Sequence, residues 1–592
     1  MNKYNLSLEN LIEKYFEKNE KINTVSPINL IGKIIKDKCE NKKFAIWGAG
    51  EHTTHLHKHL SVEIKEAQFI IDNDKDLTGT EILGFKVIHP SDLKNHDIDV
   101  ILISSYAGAK GIKKEILDLN LSCEAVNFYE ILEGMGVKLE GAFFADPGIY
   151  TALYNLKGKY NSSIDKNEKE KYIIKLIYLY LKVRDFDNAK MFINEYIRYE
   201  FSNKEKFELL LQDICNLIKA LSDSLKKRNG KDIMLMFLDS LRAKDIYSDD
   251  PPMKFLNGIL KDSLYFEKAC SPSIFTYESV PSMLSGDMPF LNSLYKKKTV
   301  NEDECSFIRC AINKGFKIKI YALSHWNIIE GENIEYGEES NYAPETLWNA
   351  VCDLAESKNE DTLYLLYFCQ ETHPPHICGN HTILPKGHIT PFTCNDVTDQ
   401  TQEDYSKQYN ESLIYIDNQI RFYFDIITDN TVKVIFSDHG QLIDRALSPL
   451  KDIGTLAGWN NIRYNVPFII NGKNIIPEKN NKLYSMKNFG KVIEGILDNN
   501  VNIVNSDIIE VNFSKINNSV IIEKYKNEGY EDYLYGFKVF VSDKYKLVIT
   551  GNGKKKIYET SDEFNEIKDK SKVENIIEYF KQKDCDFSIP RW

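Results

Sequence analysis

The tightest constraint on this chain is a run of six apolar residues, Ile233–Leu238, that stops on a carboxylate, Asp239. A run with no polar face reads as a strand covered on both sides, the situation inside a parallel sheet flanked by helices. Three further runs repeat the pattern. Residues 316–323 lead into Ser324-His325-Trp326, residues 362–369 into Gln370-Glu371-Thr372-His373, and residues 432–436 into Ser437-Asp438-His439-Gly440. Stretches with helical apolar spacing, 409–427 the clearest, lie between them. This alternation predicts an α/β fold with a doubly wound sheet, and such sheets bind ligands outside the carboxyl ends of their strands.

Thr276 opens Thr-Tyr-Glu-Ser-Val-Pro-Ser-Met-Leu-Ser-Gly, a segment with helix-starting character after the turn-rich Cys270-Ser271-Pro272-Ser273. A hydroxyl at a helix N-terminus stands beside backbone N–H groups that favour a bound anion.

At these residues the chain resembles the alkaline phosphatase superfamily, in its sulfatase and phosphoethanolamine/phosphoglycerol transferase branch. The first metal ligand there ends a strand in a pattern like Leu-Asp-Ser-Leu-Arg, as at 238–242. Sulfatases place a modified Cys or Ser in C-x-P-S-R, ten residues before a Gly, and counting back ten from Gly286 reaches Thr276. Cys270-Ser271-Pro272-Ser273 imitates that motif six residues out of register, with Ile274 where its Arg belongs, so Cys270 reads as a decoy. The register T-x-x-S-x-P, here Thr276, Ser279 and Pro281, is similar to the phosphoethanolamine transferases, whose nucleophile is Thr.

The resemblance further implies one divalent metal held by Asp239, Thr276, Asp438 and His439. It implies His373, in a Thr-His-Pro-Pro segment like the family's H-x-P, as the residue that contacts the transferred phosphate. His325 resembles the His of a sulfatase K-x-H. A mixed oxygen and nitrogen donor set suits zinc, or secondarily manganese, better than calcium. One family feature is missing. A further His, or in sulfatases a Lys or His, follows D-H-G in relatives, whereas between Gly440 and Pro467 this chain offers only Arg445, Lys451 and Arg463 as cations.

Elsewhere the reading is coarser. With 592 residues the chain needs several cores. Four segments are expected: a Rossmann-like domain at 1–140, a helical connector at 141–228, the catalytic domain at 229–500 and its small α+β subdomain at 501–592. In the first, the strand Phe44–Trp47 runs into Gly48-Ala49-Gly50, and Asp72 closes the next apolar run where a ribose-binding acid would sit. Gly48, Gly50 and Asp72 are therefore candidate nucleotide contacts, although Thr53 occupies the third glycine position. This region is similar to small nucleotide-binding domains attached to bacterial sugar-modifying enzymes. His52, His55, His57 and His59 read as a solvated helix face. Lys226 to Lys231, KKRNGK, reads as a linker, and Gly551 and Gly553 as the positive-φ residues of a hairpin turn.

A net charge of -12 argues against nucleic acid as a partner. No stretch reads as a membrane span or export signal, and the 11 cysteines lack paired spacing, which together suggest a cytoplasmic protein. The expected function is metal-dependent phosphotransfer, from a phosphodiester donor through a phosphothreonine to a sugar, nucleotide-sugar or glycan acceptor. The alternatives are a sulfatase-like hydrolase of phosphate or sulfate esters and an inactive ligand-binding homologue.

Overall fold

The computed structural model describes residues 2–22, 27–106, 108–135, 148–288, 299–322, 326–338, 340–357, 360–374, 376–383, 399–444, 459–514, 519–527, 529 and 531–588. The chain divides into two compact units, a smaller one of residues 22–152 with 323–326 and a larger one of 1–21, 153–322 and 327–592.

The smaller unit holds β1 (Phe44–Trp47), β2 (Ile70–Ile71), β3 (Glu81–Ile82), β4 (Phe85–Ile88), β5 (Val100–Ile103) and β6 (Glu124–Val126), in the order β3-β4-β2-β1-β5-β6. All neighbours are parallel except β3 and β4. Every residue of β1 and β5 is buried, as central parallel strands require.

The larger unit is built on β7 (Ile233–Leu238), β8 (Leu264–Cys270), β9 (Val300–Asn301), β10 (Lys317–Tyr321), β11 (Ile329–Glu330), β12 (Ile334–Tyr336), β13 (Thr362–Phe368), β14 (Val432–Phe436), β15 (Phe468–Asn471) and β16 (Glu478–Ser485). Eight of these form one sheet in the order β12-β10-β13-β7-β14-β15-β8-β16, and β9 pairs with β11 apart from it. From β12 to β14 the strands are parallel. The sequence alternation hides one departure: β15 is antiparallel to both β14 and β8, so the sheet is mixed. All six residues of β7 are buried, each large side chain contributing ~1.5–3 kcal/mol of transfer free energy.

A second sheet, β17 (Ile509–Phe513), β18 (Phe537–Val541), β19 (Tyr545–Thr550) and β20 (Lys555–Glu559), is antiparallel throughout. One face packs on the helix Lys570–Gln582 through Phe540, Leu547, Ile576 and Phe580. The other joins a core that contains Cys270, Ile274, Trp459 and Tyr464. The helix starts at Lys570, capped by Asp569. Of the two glycines in the β19–β20 turn, Gly553 has positive φ (86°) and Gly551 does not; Gly551 is required because a Cβ there would stand against the Tyr535 carbonyl oxygen.

The helix Lys3–Tyr15 belongs to the larger unit, not to the Rossmann-like one. Tyr4 Oη donates to Ser224 Oγ (2.6 Å) and Asn5 Nδ2 to Asn349 Oδ1 (2.8 Å). The helices Lys166–Lys182, Phe186–Arg198 and Lys204–Lys226 lie in that unit as well. In the connecting stretch 226–231, Lys226, Lys227, Asn229 and Lys231 are exposed. Arg228 is buried and makes a two-pronged ion pair with Asp232 (2.7 Å on each arm) at the foot of β7.

Candidate metal and nucleophile site

Because β7 and β14 are hydrogen-bonded neighbours, Phe237 stands opposite Phe436, and the residues that follow each strand emerge side by side. Asp239 follows β7 and Asp438-His439 follows β14. The nucleophile candidate arrives from a third element, the helix Thr276–Ser285, whose first residue is Thr276 and whose last turn is closed by Gly286 at φ 81°. Each of Asp239, Asp438 and His439 offers a ligand atom within 4.8 Å of the others. Thr276 Oγ1 lies 2.9 Å from His439 Nε2.

The contacts around these groups decide which atoms are available. Ser240, at φ 62°, turns the chain so that its N–H donates to Asp438 Oδ1 (3.1 Å), and its hydroxyl donates to Asp239 Oδ1 (2.8 Å). Tyr367 on β13 donates its phenol to Asp239 Oδ2 (2.5 Å). Ser279 Oγ donates to the Asp438 carbonyl (2.7 Å), tying the helix that Thr276 opens to the turn of Asp438-His439-Gly440. His439 Nδ1 faces the Gly440 carbonyl (3.2 Å), which places the ring proton on Nδ1 and leaves the Nε2 lone pair directed at Thr276. Asp438 Oδ2 is buried with no hydrogen-bond donor, 3.5 Å from His439 Nε2.

Burial dominates the electrostatics. It raises the Asp239 carboxyl above its ordinary range, and the neighbouring Asp438 carboxylate adds to the effect. It raises Asp438 likewise. It lowers His439 to about 3, helped by the Arg463 charge, so the imidazole is neutral. Two buried carboxyls, a neutral imidazole and an unpaired carboxylate oxygen fit a divalent cation, which would supply the charge that those oxygens lack.

His373 sits in the turn after β13, half-buried, its N–H donating to the Cys369 carbonyl (2.8 Å). His325, Arg445 and Lys451 lie outside the described residues. Cys270 ends β8, pairs with Asn465, is 2 % exposed and has its thiol pushed up to about 12 by burial. A thiol held protonated in a packed core is a weak nucleophile. Tyr367 and Ser240, which hold Asp239, escaped sequence reading. Tyr367 is the penultimate residue of β13, but nothing local in the sequence pairs it with Asp239.

In the smaller unit Gly48, at φ 121°, brings its α-carbon against Ser104, where a Cβ would stand 2.6 Å from the carbonyl oxygen. Gly50 caps the helix Glu51–Ile64. Asp72 accepts from the Ala49 N–H (2.8 Å) and the Asp74 N–H (2.9 Å), so its carboxylate braces the glycine turn. The histidine face is not wholly solvated: His55 is buried and His52 Nδ1 meets Tyr129 Oη at 2.7 Å.

Among the described residues no helix is long and apolar enough to cross a membrane. Residues 231–499 match the family model Sulfatase, and residues 40–126 match a separate model, C2185-like, N-terminal. No curated protein matches the chain. Several solved structures are similar in shape. One is the phosphonate monoester hydrolase of Agrobacterium radiobacter, at 10% identity, 60% of this chain, 94% of that one and TM-score 0.45. Another is BT1596, a 2-O GAG sulfatase, at 12% identity, 60% and 91% coverage and TM-score 0.46. A third is a protein in the alkaline phosphatase superfamily from Vibrio parahaemolyticus, at 12% identity, 62% and 96% coverage and TM-score 0.39. Residues 231–499 thus make up a sulfatase-family α/β domain, and a domain of a different family precedes it.

Proposed function

We propose that this protein is a metal-dependent phosphotransferase that works through a phosphothreonine on Thr276. The observation that carries the reading is the junction of Thr276 Oγ1, the His439 Nε2 lone pair and the donor-free Asp438 Oδ2 beside Asp239. Asp239, Asp438, His439 and Thr276 would hold one divalent ion, zinc by the softness of the set. Once bound, the ion would lower the pKa of the threonine hydroxyl and offset charge on the transferred group.

The remaining steps belong to the chain. Thr276 Oγ gives up its proton and attacks phosphorus, the ester bond to the donor's leaving alcohol breaks, and that alcohol takes up a proton in exchange. The positive dipole end of the helix Thr276–Ser285, at Thr276, favours the anionic group. His373 donates a hydrogen bond or proton to charge that develops on the phosphoryl oxygens. A second alcohol then takes the group from Thr276. A phosphodiester such as a phosphoethanolamine- or phosphoglycerol-bearing lipid is the proposed donor. A sugar, nucleotide-sugar or glycan reachable from the cytoplasm is the proposed acceptor, by analogy with the attached Rossmann-like domain, where a nucleotide would sit near Gly48 and Gly50. The sulfatase match favours a second reading, hydrolysis of phosphate or sulfate esters with water as acceptor.

The test is intact mass after incubation with phosphatidylethanolamine or phosphatidylglycerol, for the wild type, Thr276→Ala and Cys270→Ala. An adduct on Thr276 that sugar acceptors remove supports transfer, and one removed equally fast by water alone supports hydrolysis. A formylglycine at Cys270, or full turnover by Thr276→Ala, overturns the nucleophile assignment.

A further inference from the structure

We infer that Arg463 is the positioning residue of this site, a guanidinium that fastens the turn before the nucleophile to the turn that carries the ligand pair. The inference rests on the reading of Thr276 as nucleophile. Arg463 Nη2 donates to the carbonyl of Ile274, two residues before Thr276 (2.8 Å), and Nη1 donates to the carbonyl of Gly440, next to His439 (2.9 Å). The link is reciprocal, because the Gly440 N–H donates to the Arg463 carbonyl (2.8 Å). With 3 % exposure and two nitrogens committed to backbone carbonyls, the side chain is built to hold segments together rather than to meet a substrate. Its charge, still present near neutrality at a pKa of about 10, strengthens both bonds in a buried setting.

The segment around Arg463 is itself wedged between the two turns. The Ser271 N–H donates to the Tyr464 carbonyl (2.8 Å), the Val466 N–H to the Ala269 carbonyl (3.0 Å), and the Ile462 carbonyl lies where a Cβ on Gly440 would have to go. The C-terminal sheet fixes it from behind. Buried Lys546 on β19 donates to the Trp459 carbonyl (2.8 Å) and pairs with Glu563, whose carboxylate accepts from the Asn461 N–H (2.9 Å) and Tyr464 Oη (3.3 Å). Asn512 and Ser514 at the end of β17 grip the nucleophile side, through the Pro272 carbonyl (2.8 Å) and Glu278 Oε1 (3.2 Å). A planar fork is required because the two carbonyls lie on separate segments; an ammonium ion on a single stem cannot bridge them in the same way. The cation downstream of D-H-G therefore acts on the enzyme's own backbone.

The test compares full-length, zinc-loaded wild type, Arg463→Met, Arg463→Lys and Thr276→Ala. Turnover of bis(p-nitrophenyl) phosphate, zinc affinity against a chromophoric chelator, and amide hydrogen exchange are measured on each. Arg463→Met is expected to lower kcat or zinc affinity by about 10–100-fold, the usual cost of losing support around a metal site, with KM little changed. Exchange should rise at 272–280 and 437–442 while β7 and β13 stay protected. Arg463→Lys should recover part of the loss. Wild-type kcat, zinc affinity and exchange in Arg463→Met overturn the inference, and so does unchanged exchange at both turns. If the Met variant fails to fold, Arg463→Lys decides: wild-type values in it overturn the inference, and faster exchange at the two turns with lower kcat supports it. Full turnover by Thr276→Ala would instead overturn the reading of Thr276, while the exchange measurement needs no turnover and still judges Arg463.

Discussion

Gly440 gives the sharpest quantitative test of the site's tolerance. An added Cβ would stand 2.0 Å from the Ile462 carbonyl oxygen and 3.1 Å from Arg242 Cγ, where ordinary contact begins at 3.4 Å. The first distance must therefore open by 3.4 − 2.0 = 1.4 Å, and the obstacle is backbone, which cannot swing aside as a side-chain end would. The segment that must move carries Arg463, and the glycine that must move adjoins His439. Overpacking of this kind costs ~1–3 kcal/mol of stability. Displacement of a reacting group by about 1 Å costs on the order of 10²-fold in rate. Gly440→Ala is thus expected to stay folded, to unfold at lower urea and to lose about 10²-fold in kcat on bis(p-nitrophenyl) phosphate at saturating zinc. The control is Gly258→Ala, where nothing lies within 4 Å of the new Cβ and neither quantity should fall. A Gly440→Ala enzyme with unaltered kcat would refute the premise that this turn positions the chemistry.

Three further outcomes are expected. His373→Ala should lower kcat by about 10²–10⁴-fold and leave bound metal, measured by elemental analysis, unchanged; parallel loss of both would make it a ligand. Chelation should abolish turnover and leave the far-ultraviolet circular dichroism intact, because no thiolate framework depends on the ion; unfolding on chelation would contradict this. Asp417, which accepts from the Phe255 and Leu256 N–H groups (2.7 and 3.0 Å), is raised by burial to about 6 from an ordinary 3.8. A carboxyl raised in the folded state stabilises fully below pH 3.8 and loses that contribution as pH climbs through 6, on the order of 3 kcal/mol, so urea stability of wild type should fall across this window relative to Asp417→Asn. Parallel curves for the two proteins would contradict it.

What the sequence shows of this molecule is what local pattern can carry. An apolar run ending on Asp239 and another ending before Asp438 both announce strands, yet only the pairing of β7 with β14 makes those carboxylates neighbours. Antiparallel β15 was invisible because its first three residues, Phe468, Ile469 and Ile470, are as apolar as a parallel strand's. Arg228 sat in a hydrophilic string that reads as a linker, although its partner Asp232 is four residues away; burial of the pair is a tertiary outcome. Arg463 stood out only as a cation in an awkward place. Its two shortest bonds run to main-chain carbonyls, which carry no sequence signal at all.

The grip of Lys546 and Glu563 on residues 459–464 has a consequence in time as well as space. Ribosomes add about 5–20 residues per second, so the 563 − 463 = 100 residues that separate Arg463 from Glu563 take about 5–20 s to follow it. During that interval the parallel sheet can assemble with its carboxylates already side by side, while the turn before Thr276 waits for a clasp that has not yet been made. On the proposed reading, a nascent chain would bring the carboxylates Asp239 and Asp438 together first and set Thr276 against His439 last, once its second sheet closes.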